Sequence, residues 1–186
     1  MRVISGKARG TKLKAPTEEM PVRPTGDRVK EALFSAIQFD IHGNVLDLFA
    51  GSGQLGIEAL SRGADFATFC DHDQRSVDLV TYNVEHTHFS DKSEILLTDY
   101  KKYLKHTCQK KFDLVFIDPP YGTGLADKAL EYLSDGALLS GDAIVFVECP
   151  SEEKKPDRIG VLALQKRYEN FCNVAFVIYR RAEGTV

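Results

Sequence analysis

The stretch NVLDLFAGSGQLGIEALSRG (residues 44–63) constrains the fold more than any other part of the chain. A short apolar run, VLDLF (45–49), leads straight into a glycine-rich turn. Helical spacing follows, with Leu55, Ala59 and Leu60 facing inward and Gly63 as the stop. Strand, tight turn and helix in that order begin a βαβ unit. The rhythm then repeats. ATFC (67–70) precedes a helix from Gln74 to about Glu85, with Val77, Val80, Tyr82 and Val84 as candidates for burial. EILL (94–97) precedes a short helix within 100–106, and FDLVFI (112–117) precedes a helix around 126–133. AIVFVE (143–148) is the fifth strand. These runs lack clean in–out alternation, so both of their faces are covered, as in a parallel sheet between helices. SEEKKPDR (151–158) reads as a charged surface turn. VLALQKRY (161–168) and VAFVIYR (174–180) lie too close together for a helical crossover, which predicts an antiparallel hairpin. The expected class is α/β, a doubly wound sheet closed by that hairpin.

A chain of 186 residues suits one domain of ordinary size and can bury a core without disulfides or metals. The net charge of -3 is unevenly spread. Residues 1–30 hold eight Lys or Arg against three Asp or Glu, a net of +5; residues 31–186 hold sixteen against twenty-four, a net of -8. Residues 1–24 read as a basic arm or β-hairpin around Gly6 and Gly10, broken by Pro16, Pro21 and Pro24. The main domain is expected over 25–186. It opens on a helix near Asp27, capped by Thr25, with Val29, Leu33, Ala36 and Ile37 as its apolar stripe. Arg2, Lys7, Arg9, Lys12, Lys14, Arg23, Arg28 and Lys30 make the amino-terminal segment positive and point to an anionic partner. Lys101, Lys102, Lys105, Lys110 and Lys111 form a second cluster that reads as a solvated face.

Cys70, Cys108, Cys149 and Cys172 form no CxxC pair, and Cys70 and Cys149 sit in or beside apolar strands as buried thiols. A reducing, cytoplasmic setting is expected, with no membrane span, no metal and a monomeric chain. Of the histidines, His42, His86, His88 and His106 read as surface residues, and only His72 stands near the candidate ligand edge.

The turn DLFAGSGQLG (47–56) carries glycines in the spacing G-x-G-x-x-G at the end of a strand. Such glycines admit a ligand close to the backbone, and the next helix presents unsatisfied N–H groups. Asp47, Leu48, Phe49, Gly51, Ser52 and Gly53 line this edge. Asp71 ends the second strand, where a carboxylate can accept from the hydroxyls of a ribose. His72 follows it, and Asp99 and Tyr100 end the third. The pattern supports a nucleoside ligand. A carboxylate at Asp47 disfavours a pyrophosphate and suits the ammonium end of S-adenosylmethionine. A nicotinamide or flavin dinucleotide, or a turn that serves packing alone, remains open.

FDLVFIDPPYG (112–122) is the most specific stretch. Two prolines after a buried strand fix the chain path and remove two N–H donors. Asp118 and the Pro119 carbonyl are then two neighbouring acceptors for an aromatic –NH2 group, Pro120 holds the bend, and Tyr121 offers a flat ring for a base. The amine of a purine is a poor nucleophile because its lone pair is delocalised into the ring. Two acceptors return electron density to nitrogen and aim the lone pair at a methyl donor.

On MRVISGKARGTKLKAP, RPTGDRVKEALFSAI, VLDLFAGSGQLGIEALSRGA and FDLVFIDPPYG, the chain resembles the bacterial small-subunit rRNA guanine-N2 methyltransferase family RsmD over nearly its whole length. That resemblance implies a Rossmann-like class I methyltransferase with a seven-stranded mixed sheet. It implies adenosylmethionine on DLFAGSG with Asp71 at the ribose and Asp99 near the adenine, and the target base on Asp118–Tyr121. It further implies 16S rRNA as substrate, at guanine 966 in an assembled small subunit or a late assembly intermediate. Arg2, Lys7, Arg9, Lys12, Arg23 and Arg28 are the expected RNA contacts. The chain departs from the family in FCDHD, where an acidic then a basic residue is common, in TDY for GDA, and at Gly26, where Thr is frequent. Three other readings stay open: an adenine-N6 methyltransferase of DNA or RNA, a nicotinamide-dependent oxidoreductase, and a noncatalytic RNA-binding module.

Overall fold

Dense β-branched and aromatic runs become strands wherever helices can cover both of their faces. The computed structural model describes residues 1–17, 26–107, 110–169, 171 and 173–182, and shows five such strands running parallel. After helix α1 (Asp27–Ala36), the order is β1 (Asn44–Asp47), α2 (Gln54–Arg62), β2 (Phe66–Asp71), α3 (Gln74–His86) and β3 (Ser93–Leu97). There follow α4 (Tyr100–Lys102) with a π-helical turn (Tyr103–Thr107), β4 (Phe112–Ile117), α5 (Leu125–Leu133) and β5 (Leu139–Pro150). The chain then adds β6 (Arg158–Ile159), β7 (Leu162–Tyr168) and β8 (Val174–Arg181).

The sheet order is β3-β2-β1-β4-β5-β8-β7-β6. β1 pairs in parallel with both β2 and β4, so the winding reverses between β1 and β4. β8 runs antiparallel to both β5 and β7. This is the doubly wound, Rossmann-like class I methyltransferase fold with its antiparallel carboxyl-terminal hairpin. Among the described residues the sheet has eight strands where seven were expected. The eighth is the two-residue β6, inside and just after a stretch that reads as a charged turn; Arg158 and Ile159 pair with Ala163 and Leu162.

Two apolar clusters fill the layers. One holds Val29, Leu33 and Phe34 of α1, Leu55 and Ile57 of α2, Val80 and Val84 of α3, and Val45, Phe69, Phe116 and Phe146 of the sheet. The other packs Leu130 and Leu133 of α5 and Tyr103 against Leu46, Val115, Val145 and Val147. The helix spacings read from the sequence hold, with two differences on α3. Val77 is half-buried, and Tyr82 is 49% exposed rather than buried, with the Lys14 ammonium 5.1 Å from its ring centroid and His86 stacked on it at 5.9 Å. Gly26, with no side-chain bond, stands at the N-cap of α1. The expected cap, Thr25, lies outside the described residues, as do Pro21, Arg23, Pro24, Cys108 and Cys172. Cys70 and Cys149 are buried thiols outside any disulfide. Among the described residues, no helix is long and apolar enough to cross a membrane.

The amino-terminal segment is a hairpin pinned to the helices. Its strands meet at the bridge Arg2↔Lys12, and Val3 and Leu13 enter the first apolar cluster. Glu58 on α2 accepts from the Ile4 and Ser5 N–H groups at 2.7 and 3.0 Å, and Ser61 Oγ accepts from Ala8 N–H at 3.0 Å. Lys30, read from the sequence as part of the basic surface, is fully buried. Its Nζ lies 3.9 Å from Glu58 and donates to the Arg2 carbonyl at 2.6 Å. Arg2, Lys7, Arg9, Lys12 and Arg28 are exposed.

Candidate active site

Ligands of open α/β sheets bind beyond the carboxyl ends of the strands, where the winding reverses. Here that place lies between β1 and β4, and the sequence brings four carboxylates to it. Asp47 follows Val45 by two residues, Asp71 follows Phe69, Asp118 follows Phe116 and Glu148 follows Phe146. The four apolar residues share one cluster on one side of the sheet. Alternate residues of a strand share a face, so the four acids rise along one edge on that same side.

Asp47 is the most buried of the four, and its Oδ2 accepts from Gly56 N–H at 3.0 Å. Burial pushes its carboxyl up to about 8, the Gly56 hydrogen bond works against that, and the nearby charges of Asp118 and Asp71 add to it. Asp71 ties the glycine turn to β2: its two oxygens accept from Gly51 N–H and Asp73 N–H, each at 2.9 Å. The turn needs its glycines for two reasons. Gly53 precedes α2 with φ of 75°, a region that side-chain-bearing residues enter with strain. At Gly56 a Cβ would stand 2.3 Å from the Phe69 ring, so the α2–β2 approach requires a residue without one.

The other cofactor candidates divide. Gly51, Ser52 and Gly53 are buried in the turn. Ser52 Oγ meets Met1 Sδ at 3.5 Å, and its carbonyl accepts from Asn83 Nδ2 at 2.9 Å, so the basic hairpin is rooted on the turn itself. Asn83 also exchanges bonds of 2.8 and 3.1 Å with the Lys14 backbone. Leu48 points into the opposite core, and its N–H is already bonded to the Phe116 carbonyl. Its side chain therefore serves packing. Phe49 and Tyr100 are half-buried rings packed against each other, their centroids 5.3 Å apart and their planes tilted by 38°, an aromatic wall at the edge. Asp99 is exposed and caps α4 through Lys101 and Lys102 N–H. His72 is 73% exposed and touches the site only through Asp71, at 3.5 Å.

At the tip of β4, Asp118 is half-buried, Pro119 buried and Pro120 exposed. Tyr121 is 41% exposed, and its hydroxyl donates to Glu148 Oε1 at 2.5 Å. Glu148 carried no signal in the sequence, where it is the last residue of an apolar strand. Only the β4–β5 register, Ile117↔Val147, reveals it beside Asp118. Among the described residues, no group of three or more His, Cys, Asp or Glu is placed to hold a metal ion.

Residues 1–180 match the family described as conserved hypothetical protein 95. The ribosomal RNA small subunit methyltransferase D of Escherichia coli K12 is 35% identical over 188 residues, covering 99% of this chain and 92% of the relative. The protein of that name from Haemophilus influenzae is 40% identical over 159 residues, covering 84% and 81%. The solved structure of the Escherichia coli protein yhhF superposes with a TM-score of 0.85 at 32% identity, with 98% of each chain covered. With the glycine turn, the Asp118–Tyr121 corner and the docked hairpin all in place, these matches show that the chain belongs to the RsmD family of small-subunit rRNA methyltransferases.

Proposed function

We propose that this chain transfers a methyl group from S-adenosylmethionine to the exocyclic N2 amine of a guanine in 16S rRNA. The family's target, guanine 966, presented in the small subunit or a late assembly intermediate, is the specific substrate. The observation that carries the reading is the placement of the Asp118–Tyr121 corner at the tip of β4, next to the glycine turn of β1 across the winding reversal.

The donor set fits adenosylmethionine. Burial raises the carboxyl of Asp47, and the nearby charges of Asp118 and Asp71 raise it further, a disposition that a cationic ligand relieves and a pyrophosphate aggravates. Asp71 retains acceptor capacity for the ribose hydroxyls beyond its two backbone bonds. The aromatic wall of Phe49 and Tyr100 suits one face of the adenine, with Asp99 next to Tyr100 in the chain. Bound there, adenosylmethionine supplies an electrophilic sulfonium methyl. Asp118 and the Pro119 carbonyl each accept one N–H of the guanine amine, and the prolines hold both acceptors in place. Tyr121 stacks on the base, worth about 1–3 kcal/mol at single-stranded sites. The N2 lone pair forms the new N–C bond as the S–C bond breaks. The cation so formed on N2 is acidic and loses its proton to water, so Asp118 serves by orientation and electrostatics. Outside the site, Arg2, Lys7, Arg9, Lys12, Arg23 and Arg28 bind RNA phosphates and position the target loop.

The test is methyl transfer from labelled adenosylmethionine to small subunits that lack the modification, set against duplex DNA, with mass spectrometry of rRNA fragments. Label in one 16S guanine is the expected result. Label in DNA adenine alone overturns the reading.

A further inference from the structure

The two acceptors at the β4 tip hold any aromatic –NH2 group, so they do not by themselves tell guanine from adenine. The purines differ beside the amine: guanine carries an N1–H donor next to N2, and adenine a bare N1 acceptor next to N6. A site that methylates N2 of guanine therefore gains selectivity from a third acceptor placed next to the first two.

The structure offers one. Glu148 lies one residue beyond the last registered pair of β4 and β5, Ile117↔Val147, and so faces Asp118. Neighbouring strands stand about 4.8 Å apart. Phe116 and Phe146, two residues earlier on each strand, share one apolar cluster, so the two acids rise on the same side of the sheet. The Glu148 side chain is turned toward the corner, because Oε1 takes the Tyr121 hydroxyl at 2.5 Å. Glu148 is only 7% exposed. A buried carboxylate facing a bare N1 loses a hydrogen bond and meets a lone pair, a heavy penalty in a desolvated pocket. The phenol occupies one of the roughly four acceptor positions of a carboxylate, which leaves capacity for a second donor.

We propose that Glu148 reads the Watson–Crick edge of the target base: it accepts N1–H of guanine and thereby selects guanine over bases with an acceptor at N1. This inference rests on the guanine-N2 reading of the same site. Glu148 also fixes the stacking ring through the Tyr121 hydroxyl, so the test must separate reading from anchoring.

2-Aminopurine does this, because it keeps the 2-amine and presents a bare N1. Small subunits are assembled on 16S RNA carrying either guanine or 2-aminopurine at the target, and kcat/KM is measured for each. The unaltered chain should favour guanine by about 10⁴-fold, the scale on which sites built to hydrogen-bond a polar group reject analogues lacking it. Glu148→Gln still accepts the Tyr121 hydroxyl through its amide oxygen, but offers an N–H to the bare N1. Its guanine preference should fall at least tenfold, with activity on 2-aminopurine held or raised. Tyr121→Phe, which removes only the anchoring bond, should keep the preference. A Glu148→Gln enzyme with the original preference overturns the assignment and leaves Glu148 as an anchor alone. If the unaltered chain methylates no guanine, the guanine-N2 reading fails and this inference falls with it.

Discussion

Asp47 and Asp118 stand at one edge of the sheet and differ in what holds them. Asp47 is buried, and burial raises its carboxyl to about 8. In the unfolded chain its pKa is about 3.9. Between those values the folded chain keeps a proton that the unfolded chain releases, so this group's contribution to stability falls as pH rises from about 4 to about 8. Asp47→Asn removes that slope. Urea unfolding at pH 5 and pH 8 should show the variant losing less stability across the interval than the unaltered chain. On the proposed reading, the same burial should make cofactor binding release a proton near pH 7, since a cation beside Asp47 favours the ionised carboxylate. Calorimetry in buffers of different ionisation enthalpy reads that proton directly, and Asp47→Asn should abolish the buffer dependence. Asp118 is half-buried and, on the proposed reading, holds the target amine. Asp118→Ala should lower kcat by at least about 100-fold, the scale of losing one preorganised polar partner of the transition state. Adenosylhomocysteine affinity should stay within a few-fold. A proportional loss of cofactor binding would place Asp118 in the cofactor pocket instead of at the target amine.

Among the elements, the glycine turn and the amino-terminal hairpin are joined more closely than their separation in sequence suggests. Glu58 accepts from Ile4 and Ser5, meets Lys30 in the core and takes Arg62 Nε at 2.8 Å. Replacing Glu58 with Ala strands a buried Lys30 and two backbone donors. Breaking a buried pair on one side costs about 3–5 kcal/mol, measurable as a lower urea midpoint with an unchanged m-value. Lys30→Met with Glu58→Gln should recover part of that loss, because no uncompensated charge remains. The strand and helix order was legible in the sequence because its signals are local: apolar runs of strand length, glycine at α2's ends, helical spacing in Leu55, Ala59 and Leu60. The edge residues Asp47, Asp71, Asp118 and Tyr121 were legible for the same reason, each ending a strand or sitting in a turn. Lys30 was not. On a helix next to a basic arm it reads as surface, and its burial is explained by two partners distant in sequence, the Arg2 carbonyl and Glu58. Glu148 escaped notice because strand register, which no local pattern encodes, puts it beside Tyr121. Tyr82 fits an apolar stripe by spacing, yet Lys14 crosses its ring because the hairpin docks against α3.

For the whole molecule, the decisive property is how charge is arranged around a slightly acidic chain. The site is an edge of carboxylates that suits a cation, while RNA is a polyanion, so something must offset the repulsion between them. On the proposed reading the hairpin does so from close by: Met1 touches Ser52 in the glycine turn, and Val3 and Leu13 lie in the core that covers the same face of the sheet. On the proposed reading, the exposed side chains of Arg2, Lys7, Arg9 and Lys12 would meet RNA phosphates beside the site. A rigidly docked hairpin loses little conformational entropy when it engages phosphates, which a free basic tail would lose on binding. Replacing these four residues with Gln tests the arrangement. Their backbone bonds to α2 and to the core are retained, so the fold should be kept, with adenosylhomocysteine affinity unchanged. Each phosphate no longer neutralised should reduce the slope of log kcat/KM for small subunits against log salt by roughly 0.7–0.9. The full set should therefore flatten the slope by about three, raise KM at moderate salt and leave kcat within a few-fold, because the reacting atoms meet at Asp118 and not at the hairpin. An unchanged slope would mean that the hairpin's charges face away from the RNA and that its role is to hold the cofactor turn.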